Sequence, residues 1–459
     1  MAVNRPIEKI ERIALPLRIQ IWWLPQDSAS AAAECTFVRA ATGMRAFRFY
    51  HTAAASRHCR GRYFFEAISA RACLCVAAGL STYVISISLP GGTVRAQTAF
   101  YQATEQQIAG RAGTLIRQEP MPFVGGTAYR VLYRSTGLHD EPIALSGVVI
   151  VPPGRPPPGG RPIVAWAHPT TGIVPHCAPS LAIFVFQQIQ GLRDMVERGY
   201  AIAATDYPGL GTPGPHPYLV GVSEARAVLD SVRVARTMPG VGGSDRFAVR
   251  GHSQGGHAAL FTGLIAQSYA PELKLMGVAT AAPASELATL INDDLSTAGG
   301  KNIAAMTLWS WARVYGAPIQ DVVVPAAMPT IDLLAEECIE SAFDLETRRI
   351  TERPLEENFL SVSSPSDVEP WRSLLARNTP ATLPPDVPVF LAQGTTDAII
   401  RPQVTQDYMQ RLCKAGNRVR LLIMPGVGHG LVAERSARTA VAWMADRFTE
   451  APAPSDCGP

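Results

Sequence analysis

A chain of 459 residues that is 47% hydrophobic and 17% charged has the balance of a globular protein with a large core, which excludes a disordered or fibrous one. The formal charge of +3 divides unevenly: residues 1–96 hold 12 Lys+Arg against 5 Asp+Glu, and the remainder 29 against 33. The basic excess belongs to the leader, and nothing after it, neither a cationic run nor aromatic–basic interleaving, asks for nucleic acid.

In chain order, residues 1–43 show no clear pattern, and Met44 is the better start. Arg45, Arg48, Arg57, Arg60, Arg62 and Arg71 then form a basic region before the apolar Ala72 to Leu89. Val94-Arg95-Ala96 is a small-x-small cleavage site, so residues 1–96 read as a leader with a signal peptide and the mature chain starts near Gln97. That implies a secreted or periplasmic protein; an uncleaved membrane anchor is the alternative, since the apolar stretch is about 18 residues. Cys35, Cys59, Cys73 and Cys75 fall in the removable part. Cys177, Cys338, Cys413 and Cys457 remain, an even number that suits two disulfides in an exported chain. Their spacing matches no zinc pattern, and neither His252 nor His257 completes one, so no metal is expected.

Tyr129 to Arg134 and Ile143 to Val151 are β-rich runs around a Thr136–Asp140 turn, and read as leading antiparallel strands. Apolar runs follow at Ile163–Ala167, Tyr200–Thr205, Phe247–Val249, Leu275–Ala282, Val387–Gln393 and Val419–Met424. Helical periodicity appears at Ser223–Arg236, His257–Tyr269 and Ser436–Phe448. Short apolar strands alternating with helices predict an α/β fold with a mostly parallel sheet covered on both faces. Residues 97–284 and 381–459 are the two parts of this core. Residues 285–380 break the rhythm with several helical stretches, Met328–Phe343 among them, and read as an inserted helical lid or cap over the C-terminal strand ends.

Chemistry concentrates at Gly251-His252-Ser253-Gln254-Gly255-Gly256. A strand runs into it and a helix leaves it, so Ser253 sits on a nucleophile elbow, where the glycines leave room that Cβ atoms would fill. A serine is a poor nucleophile without a base. His429, among Gly426, Gly428 and Gly430, follows the last strand, and Asp397 follows the strand before it. The order Ser253, Asp397, His429 is that of α/β-hydrolases. His429 is the expected base, Asp397 its orienting carboxylate, and the Gln254 N–H one oxyanion donor. His168-Pro169-Thr170-Thr171-Gly172 follows a strand and offers the second donor from Thr170 or Thr171, since proline has no N–H. Asp206, a competing acid that precedes Ser253, reads as a turn residue. His252 and His257 read as packing or surface residues.

These strings resemble the secretory lipase family of α/β-hydrolases over roughly Gly113 to Phe448. The resemblance rests on Ala165–Gly172 with Cys177–Ser180, Asp206–Gly211, His216-Pro217-Tyr218-Leu219, the Ser253 elbow and Gly428-His429-Gly430. It implies an exported carboxylic-ester hydrolase of acylglycerols or simpler esters, with a helical lid and no cofactor. It also implies pairing of Cys177 with Cys338, which leaves Cys413 with Cys457. A small ester or lipid molecule is the expected partner, with transient contact at a lipid interface. Two alternatives stay open. One is a serine peptidase or amidase with the same triad, for which Asp293-Asp294 and Glu336-Glu337 are candidate anchors. The other is a non-catalytic lipid-binding protein on this scaffold.

Overall fold

The computed structural model describes residues 38–39, 45–46, 99–295 and 298–458. Val38–Arg39 and Arg45–Ala46 pair as two short antiparallel strands. The rest of the leader, with the signal peptide, its cleavage site and Cys35, Cys59, Cys73 and Cys75, lies outside the described residues. Among the described residues no helix is long and apolar enough to cross a membrane.

From residue 99 onward one nine-stranded sheet organises the chain. Its strands are β1 (Leu115–Met121), β2 (Thr127–Thr136), β3 (Pro142–Val151), β4 (Arg161–Ala167), β5 (Ala201–Thr205), β6 (Gly243–His252), β7 (Lys274–Ala281), β8 (Val389–Gly394) and β9 (Val419–Met424). They lie in the order β9-β8-β7-β6-β4-β5-β3-β2-β1. Strands β4 to β9 run parallel, while β1, β2 and β3 meander antiparallel and join at β5. The inner parallel strands are buried on both faces, which is why they read as unbroken apolar runs: every residue of β5 and of β8 is buried, whereas the edge strand β9 is mostly half-buried. Strand β1, Leu115–Met121, carries charged and polar residues at the sheet edge and gives no such signal.

The longer helices are α1 (Gly221–Thr237), α2 (Gln254–Tyr269), α3 (Leu287–Asp294), α4 (Ala298–Val314), α5 (Met328–Glu336), α6 (Ala342–Thr351), α7 (Trp371–Arg377), α8 (Pro402–Lys414) and α9 (Val432–Phe448). Helix α2 is apolar nearly all round, as a helix covered on every side must be, and eleven of its residues are buried. The expected single helix over Met328–Phe343 is instead two: α5 ends at Glu336 and α6 begins at Ala342 after a Ser341 cap whose side chain accepts from the Asp344 N–H. The break leaves Cys338 in extended chain, free to meet Cys177. Helices α3 to α7 all fall between β7 and β8, and this insertion is stitched to the sheet side by that disulfide and by the Ile339 N–H donating to the Thr171 carbonyl at 2.8 Å.

A second disulfide joins Cys413, in α8, to Cys457 in the C-terminal tail. Strand β9 has an open edge, and the tail occupies it. The Asp456 N–H donates to the Val419 carbonyl at 2.7 Å, and the Leu421 N–H donates to the Asp456 carboxylate at 2.8 Å. A covered edge offers no template to another strand. Closing a loop across 44 residues stabilises by about 2–4 kcal/mol. Replacing Cys413 and Cys457 together with alanine should therefore lower the Tm by several degrees while leaving kcat unchanged, as read by thermal melts and ester assays; an unaltered Tm would show that the bridge carries no stability.

Candidate active site

All three residues of the expected triad sit just beyond the C-terminal ends of parallel strands: Ser253 after β6, Asp397 after β8 and His429 after β9. Ser253 holds φ +56, a left-handed conformation that a side-chain-bearing residue rarely adopts. Close packing of the backbone sustains it. A Cβ on Gly251 would come within 1.9 Å of the Gly255 carbonyl oxygen, and one on Gly255 within 2.0 Å of the Ala167 carbonyl oxygen. The Ser253 N–H donates to the Ala281 carbonyl at 3.0 Å, which ties the elbow to β7.

The loop after β8 aims the carboxylate. Asp397 Oδ1 accepts the N–H groups of Ile399 and Ile400 at 3.0 and 2.8 Å. Its Oδ2 accepts from Gln393 Nε2 at 3.2 Å and lies 2.9 Å from His429 Nδ1. An ionised carboxylate can only accept, so Nδ1 carries the imidazole proton and Nε2 is left as the acceptor. That Nε2 stands 2.9 Å from Ser253 Oγ. Two anchors hold the histidine loop: the Gly426 N–H donates to Thr395 Oγ1 at 2.9 Å, and Arg250, buried in β6, donates to the Ala433 and Ala437 carbonyls of α9.

Of the two readings of His252, packing and surface, the structure shows packing. Its ring is buried, and Nε2 lies 3.1 Å from the His429 carbonyl, with the two rings 4.9 Å apart, so it braces the base from behind. His257 is fully buried and does pack inside. Asp206 is more than a turn residue: Ser146 Oγ at 2.6 Å, the Ser180 N–H at 2.9 Å and Ser180 Oγ all donate to its carboxylate. Those bonds hold the loop after β4 against β3. Asp206 makes no bond to His429.

Gln254 is the first residue of α2, so its N–H has no partner one turn back in the helix. Neither the Thr170 nor the Thr171 N–H has an acceptor among the described residues. The Thr170 hydroxyl lies 2.9 Å from the Tyr218 hydroxyl. A narrow cavity of about 20 Å³, room for roughly one water molecule, opens at Ser253 and Gln254. Its remaining wall is Tyr218, Leu219 and apolar side chains such as Leu287, Leu290, Ile291 and Ile400. Glu336 and Glu337 are not part of that wall; Glu337 Oε1 accepts from Thr351 instead. Sequence reasoning missed Glu224, which is fully buried behind the elbow. The available signal was a carboxylate in the first turn of α1 beside the apolar positions Ala225 and Val228.

The family model described as secretory lipase matches residues 180–456. The chain belongs to the secretory lipase family. It is accordingly a hydrolase of the lipase/esterase class acting on a small lipid or ester. A secreted triacylglycerol lipase of Malassezia globosa, LIP2, is 23% identical over 387 residues, covering 78% of this chain and 82% of that one. Among solved structures, Candida antarctica lipase A in its closed state superposes with a TM-score of 0.65 at 17% identity, over 78% of this chain and 90% of that one. The rice cell wall degrading esterase LipA of Xanthomonas oryzae gives 0.61 at 20%, over 75% and 100%. Both carry the same fold.

Three histidines of the site region are kept neutral. Burial pushes His168 down to about 4 and His216 to about 3, and burial with the facing His429 holds His252 well below the usual range. Unfolded histidine titrates near 6.5, so below that value the unfolded chain binds more protons. The stability is complete above pH 6.5 and falls on acidification, by about 1.4 kcal/mol per pH unit for each histidine. Asp206, raised by its burial, works in the opposite sense. Thermal melts should show the Tm falling between pH 7 and pH 5, with a shallower slope in His168→Asn; a Tm flat across that interval would contradict the assignment.

Proposed function

We propose that the protein is a secreted serine hydrolase that cleaves carboxylic esters through an acyl-enzyme on Ser253. The observation that carries the reading is the continuous hydrogen-bonded line from Asp397 Oδ2 through the His429 ring to Ser253 Oγ, 2.9 Å at each step. His429 Nε2 takes the hydroxyl proton as Ser253 Oγ bonds to the ester carbonyl carbon, and returns it to the departing alkoxide. Water, activated by the same nitrogen, then releases the acid and restores the serine. Asp397 keeps the imidazole in the Nδ1–H tautomer and stabilises the imidazolium. The Gln254 N–H, with that of Thr170 or Thr171, receives the negative charge that develops on the carbonyl oxygen, each donor contributing about 3 kcal/mol.

Residues 285–380 act as the lid, and the 20 Å³ cavity at Ser253 is their closed position. Leu287, Leu290 and Ile291 in its wall suit an acyl chain, which enters as α3 and its neighbours move. Malassezia globosa LIP2 is named a triacylglycerol lipase and the Xanthomonas oryzae protein an esterase, so both acylglycerols and simpler esters are carried forward as substrates. The peptidase alternative has less support: among the described residues no carboxylate, lysine or arginine stands in the cavity wall to anchor a peptide. A non-catalytic reading is weakened by the intact Ser253, Asp397 and His429.

Hydrolysis of a p-nitrophenyl ester series from acetate to palmitate tests the proposal. Ser253→Ala and His429→Ala should each lower kcat by about 10⁶-fold and Asp397→Asn by about 10⁴-fold, with folding intact. Turnover of the long chains would mark a true lipase and turnover of the short ones alone a carboxylesterase. No turnover of any ester would sink the reading.

A further inference from the structure

The string His216-Pro217-Tyr218-Leu219 and the carboxylate of Glu224 have no place in the triad, yet both close on the residue that follows the nucleophile. Gln254 is 1% exposed, and its amide nitrogen lies 2.8 Å from Glu224 Oε1 and 2.9 Å from His216 Nε2. The orientation of that amide is fixed by chemistry. His216 Nδ1 lies 2.8 Å from the Pro208 carbonyl, so Nδ1 holds the proton and Nε2 must accept. A carboxylate oxygen also accepts, and only the NH₂ end of Gln254 satisfies both.

Glu224 grips more than the glutamine. Its Oε1 also accepts the Leu219 N–H at 3.0 Å, where the backbone holds φ +55. Its Oε2 lies 2.9 Å from His257 Nδ1. The other ring nitrogen, Nε2, lies 2.7 Å from the Asn378 carbonyl, which requires a proton on Nε2. One proton is therefore shared between Oε2 and Nδ1, and the Glu224–His257 pair is neutral overall wherever that proton rests. Gln254 and His257 stand three residues apart on one face of the first turn of α2, and one carboxylate holds both.

We propose that Glu224 is a positioning residue for the oxyanion site: by clamping the first turn of α2 at Gln254 and His257, it fixes the direction of the Gln254 backbone N–H. The same oxygen holds Leu219, so the clamp also sets one wall of the cavity relative to Ser253. The hydrogen bond to His257 keeps an unpaired carboxylate away from the place where the reacting oxygen becomes negative. The inference rests on the reading of the Gln254 N–H as an oxyanion donor. A merely structural network would lower the Tm and leave turnover per folded molecule unchanged, whereas a donor misdirected by about 1 Å costs on the order of 10²-fold in rate.

The experiment measures kcat and KM on a short-chain p-nitrophenyl ester, per folded molecule, for the full chain and its variants. Glu224→Ala should lose about 10²-fold in kcat with KM little changed. Glu224→Gln should recover most of that loss, because its oxygen still accepts from Gln254 and Leu219 and its amide donates to His257 Nδ1. If Glu224→Ala does not fold, Gln254→Met decides: it keeps the backbone N–H and removes only the amide link, and a fall of tenfold or more in kcat is expected. Folded Glu224→Ala or Gln254→Met with wild-type kcat would overturn the inference while Ser253→Ala stays inactive. An active Ser253→Ala would instead overturn the catalytic reading beneath it.

Discussion

The structure depends on a backbone constraint at one residue. Ser253 is held at φ +56 because the carbonyl of Gly255 and that of Ala167 close over the elbow at distances that leave no room for a side-chain carbon on Gly251 or Gly255. Such a conformation costs free energy on its own, on the order of 1–3 kcal/mol, and persists only where surrounding structure over-determines it. Strands β4, β6 and β7, buried on both faces, supply that rigidity. The bond from the Ser253 N–H to the Ala281 carbonyl fixes the elbow to its neighbour, and the helix that leaves it is enclosed on nearly every side.

Around this fixed point the polar groups divide by protonation. Burial keeps His168, His216 and His252 neutral, each with a ring nitrogen within reach of a backbone carbonyl. Asp397 is buried too, and four donors converge on its two oxygens, so its carboxyl is fully hydrogen-bonded inside the protein. The proposed base thus faces one carboxylate on one side and the neutral ring of His252 on the other. A cation at His252 would oppose the imidazolium that the proposed mechanism forms on His429, and burial removes that conflict.

The helical insertion is joined to the proposed oxyanion loop as well as lying between β7 and β8. Cys338 binds Cys177, Ile339 bonds to Thr171, and Ser310 and Trp311 of α4 bond to the backbone of His216 and Tyr218. A displacement of the proposed lid is therefore felt by residues that line the cavity at Ser253. In this way access and the geometry of charge stabilisation share the same contacts.

Much of this was legible in the sequence because it is written locally. Parallel strands buried on both faces appear as apolar runs, the elbow as glycines around a serine, and the chain order of Ser253, Asp397 and His429 marks the fold. The secretory lipase resemblance carried the disulfide partners, which spacing left open. What stayed hidden depends on contacts between distant segments. Strand β1 is half polar because it lies at an edge, and the break between α5 and α6 serves a bond to Cys177 far away in the chain. His252 looked idle because a residue's neighbours in sequence do not reveal the carbonyl its ring will meet. Glu224 gave only a weak signal for the same reason: a carboxylate in a helix's first turn ordinarily faces water, even beside apolar Ala225 and Val228, and only the packing of α1 against α2 places it beside Gln254 and His257. Sequence alone determined the fold and the candidate chemistry, since periodicity and turn residues are local. Tertiary structure decided which buried polar groups meet, since such a group must find its partner wherever the chain brings one.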